Sequence, residues 1–372
     1  MPVPSGFADI CDKQAKFCQE RSPLYQILFN ALGQWWREEE WFRRLLETTW
    51  AQRTFGAWFE SPLVVAASIH AAVLRGEPSA RILQTFYGRR LPVGLDRSEA
   101  ADFLEGVKSL LSAPSPAVME TLRSGQIQTN EIRRSACWLL AASVLEFRQF
   151  DLVELGSSAG LSLAADRLGW VTVYDNGDRI YAGGPGQSSL ETPVTGSDAP
   201  RTFDWQVARR IGIDRNPLDA SDPQTQLWLK ALVWPDQAER MKLLELGLEA
   251  AISPGRPKIE FRQMELPDGL EPEEWSAGST PVLFWNSITT GYFSNSQYLD
   301  LKDRISRTLD RRPGAWLEFE LPRSPANRPE SVRKDEAVLM LHRRETGRWH
   351  SKILAAAEAH VPSIRWLASR QQ

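Results

Sequence analysis

The spacing of apolar residues changes at about Phe150, and this change constrains the fold more than any other feature of the chain. From about Phe7 to Phe147, apolar residues recur every three or four positions, as in SPLYQILFNALGQWW and PLVVAASIHAAVLRG. This spacing predicts six or seven helices separated by breaks that contain Pro and Gly. After Phe150, short β-rich runs alternate with helical ones. We therefore predict a helical N-terminal domain over residues 1–148 and an α/β domain over residues 149–372.

The α/β segment predicts a mainly parallel sheet, because strands that alternate with helices need crossover connections. Strands are expected at DLVEL, VARRIGID, KIEFRQME, PVLFWNS and AWLEFEL, and helical runs at LSLAADRLG, QTQLWLKALVW and AERMKLLELGLEAAI. A two-residue turn at Asn176-Gly177 predicts a β-hairpin, inserted around residues 170–200. The last 35 or so residues predict an antiparallel pair turned at Thr346-Gly347, a short helix and a final strand.

Composition and charge exclude several classes of function. The 44 Lys and Arg residues against 47 Asp and Glu give a net charge of -3, which argues against a nucleic-acid partner. The three cysteines lack the spacing of a zinc site or a disulfide framework, so we expect no metal. The N-terminus lacks a secretion signal, and no apolar run is long enough to cross a membrane. We expect a cytoplasmic protein with no membrane partner; the oligomeric state is not indicated.

The segment ELGSSAGLSL, residues 154–163, fits two kinds of active site. Gly156 and Gly160 would let the backbone approach a ligand closely, Glu154 could bind that ligand, and the following helix would offer free N–H groups. The same residues fit G-x-S-x-G, which would make Ser158 the nucleophile of a serine hydrolase. His342, His350 and His360 follow in the required order, but no upstream motif for an oxyanion hole is present. A tight turn without a ligand is the third possibility.

Further polar residues are candidates for contacts with a ligand or substrate. Asp175 and Asp214 compete as the acid that binds a ribose, and we favour Asp214 because it ends a parallel strand rather than a hairpin strand. For the segments around Asn130 and Trp234 we favour capping and a helix break over substrate binding, with Thr129 or Asn130 as a helix cap. The candidates for substrate binding are Asn130, Glu131, Arg134, Trp234, Asp236 and Asn286.

Several stretches resemble one bacterial family of uncharacterised proteins, known as domain of unknown function 2332. They are SPLYQILFNAL, IQTNEIRRSACWLL, DLVELGSSAGLSLAADR, IGIDRNPLDASDP, LKALVWPDQAERMKLL, PVLFWNS and AWLEFELP. The resemblance implies a Rossmann-like domain similar to class I methyltransferases behind a helical N-terminal domain. Residues 154–160 also look like the loop that holds S-adenosylmethionine in such enzymes.

The resemblance makes S-adenosylmethionine the expected cofactor and a small molecule the expected methyl acceptor. The expected cofactor-binding residues are Glu154, Gly156, Ser157, Ser158, Gly160 and Asp214. The family often has Gly-Asp where this chain has Gln263-Met264, so Gln263 or Glu265 would take the place of the acid that meets the adenine. Two alternatives remain: a non-catalytic binding protein of the same fold, and the serine hydrolase.

Overall fold

The computed structural model describes residues 6–57, 59–88, 95–128, 130–183, 189–324 and 328–369. The helices are α1 Phe7–Cys18, α2 Pro23–Glu38, α3 Glu40–Thr49, α4 Glu60–Leu74, α5 Arg97–Ser112, α6 Pro116–Ser124, α7 Ser135–Ala142, α8 Pro223–Ala231, α9 Ala238–Ile252, α10 Pro272–Trp275 and α11 Asn295–Leu309. The strands are β1 Gln149–Leu155, β2 Gly169–Tyr174, β3 Arg179–Gly183, β4 Ser189–Thr195, β5 Gln206–Asp214, β6 Glu260–Gln263, β7 Val282–Ser287, β8 Gly314–Glu320, β9 Glu336–Glu345, β10 Arg348–Glu358 and β11 Ile364–Trp366.

The chain divides into two compact units, whose limits differ from the predicted boundary at residue 148. One unit comprises Met1–Thr129 with Asp222–Lys242, and the other comprises Asn130–Ser221 with Leu243–Gln372. Residues 130–148 lie in the second unit, where Trp138 in α7 donates a hydrogen bond to the carbonyl of Ser162 (3.3 Å). Segment 222–242 lies in the first unit, where Trp228 in α8 donates to the carbonyl of Gln126 (2.9 Å).

The first unit, called here the helical unit, has the helices that apolar periodicity predicts. Helix α2 begins with Pro23 directly after Ser22, whose hydroxyl accepts the backbone N–H of Tyr25 (3.3 Å). Helix α4 is buried on nearly all sides, as its continuous apolar sequence requires. Aromatic side chains fill the core, and the ring of Phe7 contacts Trp36, Phe42 and Trp50.

The second unit, called here the sheet unit, is a mixed α/β structure built on a large, mostly parallel sheet flanked by helices. Its described residues form eleven strands in the order β3-β2-β4-β11-β10-β9-β8-β7-β1-β5-β6. Strand β1 pairs in parallel with both β5 and β7, and these two continue in parallel to β6 and β8. Strands β5 and β6 thus lie on one side of β1, and the later strands β7 and β8 lie on the other. The carboxyl ends of these five strands lie at one edge of the sheet.

The strands expected from sequence are present, and β9 and β10 form the antiparallel pair predicted around Thr346-Gly347. Strands β2 and β3 form the predicted hairpin, but its loop has three residues rather than two. The backbone N–H of Tyr174 donates to the carbonyl of Asp178 (2.9 Å), and Gly177 has a φ of 86°. This geometry matches a three-residue loop with glycine in the left-handed region.

Two predicted helices are absent from the described residues. LSLAADRLG forms only a 3₁₀ helix, Ser162–Arg167, because its carbonyl groups bond to side chains: Leu163 accepts from Arg210 (3.0 Å) and Ala165 from Trp170 (2.6 Å). The short helix predicted after the Thr346-Gly347 turn is also wrong, since the alanine-rich residues 353–358 belong to β10. Pairing of β10 with β9 and β11 outweighs the helix propensity of alanine. No helix in the described part of the chain could cross a membrane.

Candidate functional site

The turn after β1 is bound tightly to the neighbouring strand β5. The backbone N–H groups of Gly156 and Ser157 both donate to the carbonyl of Ile213, at 2.8 and 3.1 Å. The N–H of Gly160 donates to the carbonyl of Ser157 (2.7 Å). Gly156, Ser158 and Gly160 have φ angles of 79°, 50° and 68°, in the left-handed region. The bend therefore uses three of its backbone donors within the protein, and no α-helix follows it.

Asp214, the predicted ribose acid, fixes this turn. Its Oδ2 accepts the backbone N–H of Ser158 (2.7 Å), and its Oδ1 accepts that of Asn216 (2.8 Å). Such charge-assisted bonds are stronger than neutral ones, and they hold Ser158 in its left-handed conformation. The competing acid, Asp175, lies in the loop between β2 and β3, where its Oδ2 accepts the N–H of Gly196 (3.3 Å). Asp214 is therefore the acid beside the turn.

Close packing within the protein, rather than approach to a ligand, explains why positions 156 and 160 have no Cβ. A Cβ on Gly156 would lie 2.6 Å from Cγ2 of Thr289, and a Cβ on Gly160 would lie 2.9 Å from Cζ of Phe261. Contacts shorter than 3 Å cannot be accommodated without movement of the neighbour. Side chains of the protein itself thus occupy the space that these glycines leave.

Glu154 has a free oxygen in a buried setting. The residue is only 5 % exposed, and its Oε2 has no hydrogen-bond partner among the described residues. Burial raises the pKa of the Glu154 carboxyl well above its ordinary value, the charge of Asp214 adds to this, and a hydrogen bond from Ser162 opposes it. The Ser162 hydroxyl also accepts the indole N–H of Trp285 (2.9 Å). Sequence reasoning missed Ser162 and Trp285, because only the pairing of β1 with β7 places Trp285 beside Glu154.

Ser157 and Ser158 have different surroundings, although both are buried. The hydroxyl of Ser158 accepts the side-chain N–H of Asn130 (3.0 Å), so its described partner is an amide and not the histidine that a hydrolase needs. The hydroxyl of Ser157 has no hydrogen-bond partner among the described residues, and it lies 2.6 Å from where a Cβ on Gly212 would be. The hydrolase hypothesis therefore stays a prediction that this geometry does not favour.

Asn130, Glu131 and Arg134 lie in the sheet unit with the turn. Oε2 of Glu131 lies 3.1 Å from Nδ1 of His360, and Nε of Arg134 donates to the carbonyl of Ala359 (2.8 Å). Glu131 also caps the 3₁₀ helix that begins at Ile132, through the N–H of Arg133 (3.5 Å). The cap is thus Glu131 rather than Asn130, and the alternative cap Thr129 is outside the described residues.

Trp234 and Asp236 are part of the helical unit and have structural contacts there. Oδ1 of Asp236 accepts the hydroxyl of Ser22 (2.7 Å), and the ring of Trp234 lies 5.8 Å from that of Tyr25. Burial raises the pKa of Asp236, and the hydrogen bond from Ser22 opposes this. These contacts agree with the helix-break explanation of the segment better than with substrate binding.

A model of one protein family matches residues 8–366, and the family is described as uncharacterized protein conserved in bacteria, domain of unknown function 2332. The chain belongs to this family. No curated protein and no solved structure matches the chain.

In this member of the family, Asn286 lies inside a network that sequence reasoning missed. Its side chain is fully buried: the amide donates to Oε1 of Glu320 (2.8 Å), and its Oδ1 accepts the indole N–H of Trp316 (2.6 Å). Oε1 of Glu320 also accepts the backbone N–H groups of Thr289 (2.6 Å) and Thr290 (2.8 Å). The segment 287–290, called here the β7 loop, is thereby held where Thr289 contacts Gly156. Asn286 positions the site rather than presenting a free group to a substrate.

Proposed function

We propose that the chain binds S-adenosylmethionine at the carboxyl ends of β1 and β5 and transfers its methyl group to a small molecule. The observation that carries the proposal is Glu154. This carboxyl is buried at a strand end, and one of its oxygens lacks a partner among the described residues, so it can accept a hydrogen bond from a ligand. The amino and hydroxyl groups of an adenosyl ligand are such donors.

The topology supports this location. In open parallel sheets, ligands bind outside the carboxyl ends of the strands, at the point where the strand order reverses. The order β6-β5-β1-β7-β8 places that point at β1, next to β7. Glu154 is the penultimate residue of β1, and Asp214 is the last residue of β5, its parallel neighbour.

The residues present fit the cofactor through their acids, not through the glycine turn. Glu154 offers an oxygen that has no partner among the described residues, and each carboxylate oxygen of Asp214 accepts one described hydrogen bond and has a second lone pair. The N–H groups of Gly156, Ser157 and Gly160 bond within the protein. The cofactor would therefore be held by side chains, with the turn serving to position Asp214 and Ser158.

When bound, S-adenosylmethionine supplies an electrophilic methyl group, and the protein contributes orientation and exclusion of water. In this chain, Glu154 would accept a hydrogen bond from the ligand. Because burial raises its pKa, the carboxyl gains from a donor that stabilises its charged form. Asp214 would accept hydrogen bonds from adjacent hydroxyl groups while keeping its bonds to the backbone.

Calorimetric titration with S-adenosylmethionine and S-adenosylhomocysteine tests the proposal directly. Glu154→Gln should fold, because Gln has the shape of the protonated acid, but it should bind about tenfold more weakly because it loses a charge-assisted bond. Asp175→Asn is the matched control, since it changes the competing acid in the β2–β3 loop, and it should bind like the wild-type chain. Absence of heat and of any thermal stabilisation with either ligand would contradict the proposal.

One observation favours a second candidate, a binding protein of the same fold that does not transfer methyl groups. Thr289 and Phe261 fill the spaces beside Gly156 and Gly160, which leaves the turn without room for a closely approaching ligand. In that case S-adenosylmethionine would bind without conversion, and incubation with a mixture of small metabolites would yield no S-adenosylhomocysteine. Conversion that Glu154→Gln abolishes would favour the methyltransferase.

A further inference from the structure

The face of the sheet opposite Glu154 carries a separate cluster of polar side chains. Glu154, Trp285 and Leu317 pair across β1, β7 and β8 and therefore share one face. The neighbours of Leu317 in sequence, Trp316 and Glu318, point to the opposite face, where helix α11 packs against β8 and β9. His342 pairs with Trp316 and lies on that opposite face as well.

Four buried polar atoms of this cluster lack a hydrogen-bond partner among the described residues. They are Oε2 of Glu318, Nε2 of His342, Nε of Arg344 and Nε1 of Trp349. Glu318 and His342 are only 7 % and 3 % exposed. Buried polar groups are nearly always paired, because an unpaired one loses its bonds to water without replacement. Four such atoms on neighbouring strands β8, β9 and β10 point to a bound polar species.

The atoms without partners are those of groups that can donate a hydrogen bond. Burial raises the pKa of Glu318 to about 8, with Glu320 adding to the shift, so its carboxyl is mostly protonated at neutral pH. Tyr298 donates to the other oxygen, Oε1, at 3.2 Å. Nδ1 of His342 lies 2.7 Å from the hydroxyl of Ser351, which can donate to it and leave the proton on Nε2. Trp349 and Arg344 carry only donors.

Lys302, on α11, gives the cluster a positive charge that has no ion-pair partner among the described residues. Its Nζ lies 6.0 Å from the ring centroid of Trp349, and its charge lowers the pKa of both Glu318 and His342. The guanidinium of Arg344 also lies beside that ring (5.9 Å), but it forms an ion pair with Asp310 (2.7 Å). Burial lowers the pKa of His342 to about 3, with Lys302 adding to the shift, so this ring is neutral.

We propose that Lys302, Glu318, His342, Arg344 and Trp349 form a second binding site, which takes a small carboxylate monoanion. One unbalanced positive charge surrounded by donors matches one negative charge that accepts several hydrogen bonds. A phosphate dianion would leave a second charge unbalanced beside the carboxylate of Glu320. The rings of Trp316, His342 and Trp349 stack in a row, with centroids 4.6 and 5.7 Å apart, and this stack fixes the positions of the His342 and Trp349 donors. The site does not depend on the proposed methyltransferase function.

The test follows the indole N–H signal of Trp349 in the ¹⁵N-labelled full chain during titration with sodium acetate and sodium benzoate. Sodium chloride at equal ionic strength is the reference, and Trp349→Phe identifies the signal by its loss. We expect a saturable shift with either carboxylate and a weaker response to inorganic phosphate. Lys302→Met should raise the dissociation constant about tenfold. Lys108→Met, which changes a lysine bonded to Glu39 in the helical unit, should leave it unchanged.

Three results would overturn the proposal. No saturable shift with either carboxylate would show that the cluster holds water alone. Equal affinity in Lys302→Met and the wild-type chain would show that the charge of Lys302 does not select the anion. Tighter binding of phosphate than of acetate would contradict the assignment to a monoanion. The wild-type titration needs no variant that might misfold, so it decides the central point by itself.

Discussion

Glu320 allows a direct measurement of how the β7 loop is held against the turn after β1. Its Oε1 accepts hydrogen bonds from Asn286 (2.8 Å), Thr289 (2.6 Å) and Thr290 (2.8 Å). Glu320→Ala would leave three donors without their acceptor, and each of the two that belong to the buried residues Asn286 and Thr290 would cost about 1–3 kcal/mol. Because the donors are neighbours, their costs are not additive. We expect the free energy of unfolding to fall by about 3–5 kcal/mol, as for other buried charged groups that lose their partner.

The assay combines urea unfolding, followed by far-UV circular dichroism, with hydrogen exchange of residues 287–293. Local exchange is needed because a chain with two compact units does not have to unfold in one step. Glu320→Gln keeps an acceptor oxygen but loses the charge, so about 1–2 kcal/mol should be lost. Glu260→Ala is the control, because its exposed ion pair with Arg209 should contribute less than about 1 kcal/mol.

The reasoning would be refuted by either of two outcomes. In the first, Glu320→Ala unfolds at the same urea concentration as Glu260→Ala. In the second, the amides of Thr289 and Thr290 exchange at the wild-type rate in Glu320→Ala. Either result would mean that the carboxylate of Glu320 does not hold the β7 loop, and the contact between Thr289 and Gly156 would need another cause.

Three further predictions concern stability. In urea unfolding, Gly156→Ala should cost about 3 kcal/mol, because its φ is left-handed and the new Cβ would contact Thr289. Gly177→Ala is the control: it has the same kind of φ but open space around it, so it should cost about 1–2 kcal/mol. Burial raises the pKa of Glu318 to about 8, so its contribution to the free energy of unfolding is present below pH 4.5 and is lost as the pH rises to 8. Urea unfolding should therefore show that the free energy of unfolding falls by an amount on the order of 4 kcal/mol from pH 5 to 8, and Glu318→Gln should remove this fall. Burial lowers the pKa of His70 to about 4, so its contribution to the free energy of unfolding is present above pH 6.5 and is lost as the pH falls to 4. This loss should be on the order of 3 kcal/mol, and His70→Gln should remove it. If the variant and the wild-type chain had the same pH profile, the loss would not come from His70.

The sequence predicts much of the fold, because the apolar periods of its elements are locally encoded. The helices of the helical unit and strands such as β5, β7 and β8 follow from spacing alone. The prediction of an element fails where a residue that is distant in sequence determines the local conformation. The carbonyl of Leu163 bonds to Arg210, 47 residues away, and residues 162–167 therefore form a 3₁₀ helix. Periodicity within a window contains no information about such a partner.

The candidate site shows the same limit more strongly. The decapeptide at residues 154–163 predicts a bend at a strand end, and the structure has that bend. The partners that determine what the bend can do come from elsewhere: Asn130, Asp214 and Thr289 all contact it across long separations in sequence. The space that these glycines would leave for a ligand is instead filled by Thr289 of the β7 loop and Phe261 of β6.

Asp214 illustrates why the two acids at this edge need different experiments. It is the proposed ribose acid, and it also holds the backbone of Ser158 and Asn216. A variant at Asp214 would therefore weaken ligand binding even if Asp214 never touched the ligand, since the turn would lose its anchor. Glu154 has no described bond to the backbone of the turn, and burial favours its protonated form, which Gln mimics. A loss of binding in Glu154→Gln without a loss of stability would thus locate the ligand at β1. Only after that result can weaker binding in Asp214 variants be interpreted as a lost contact with the ligand.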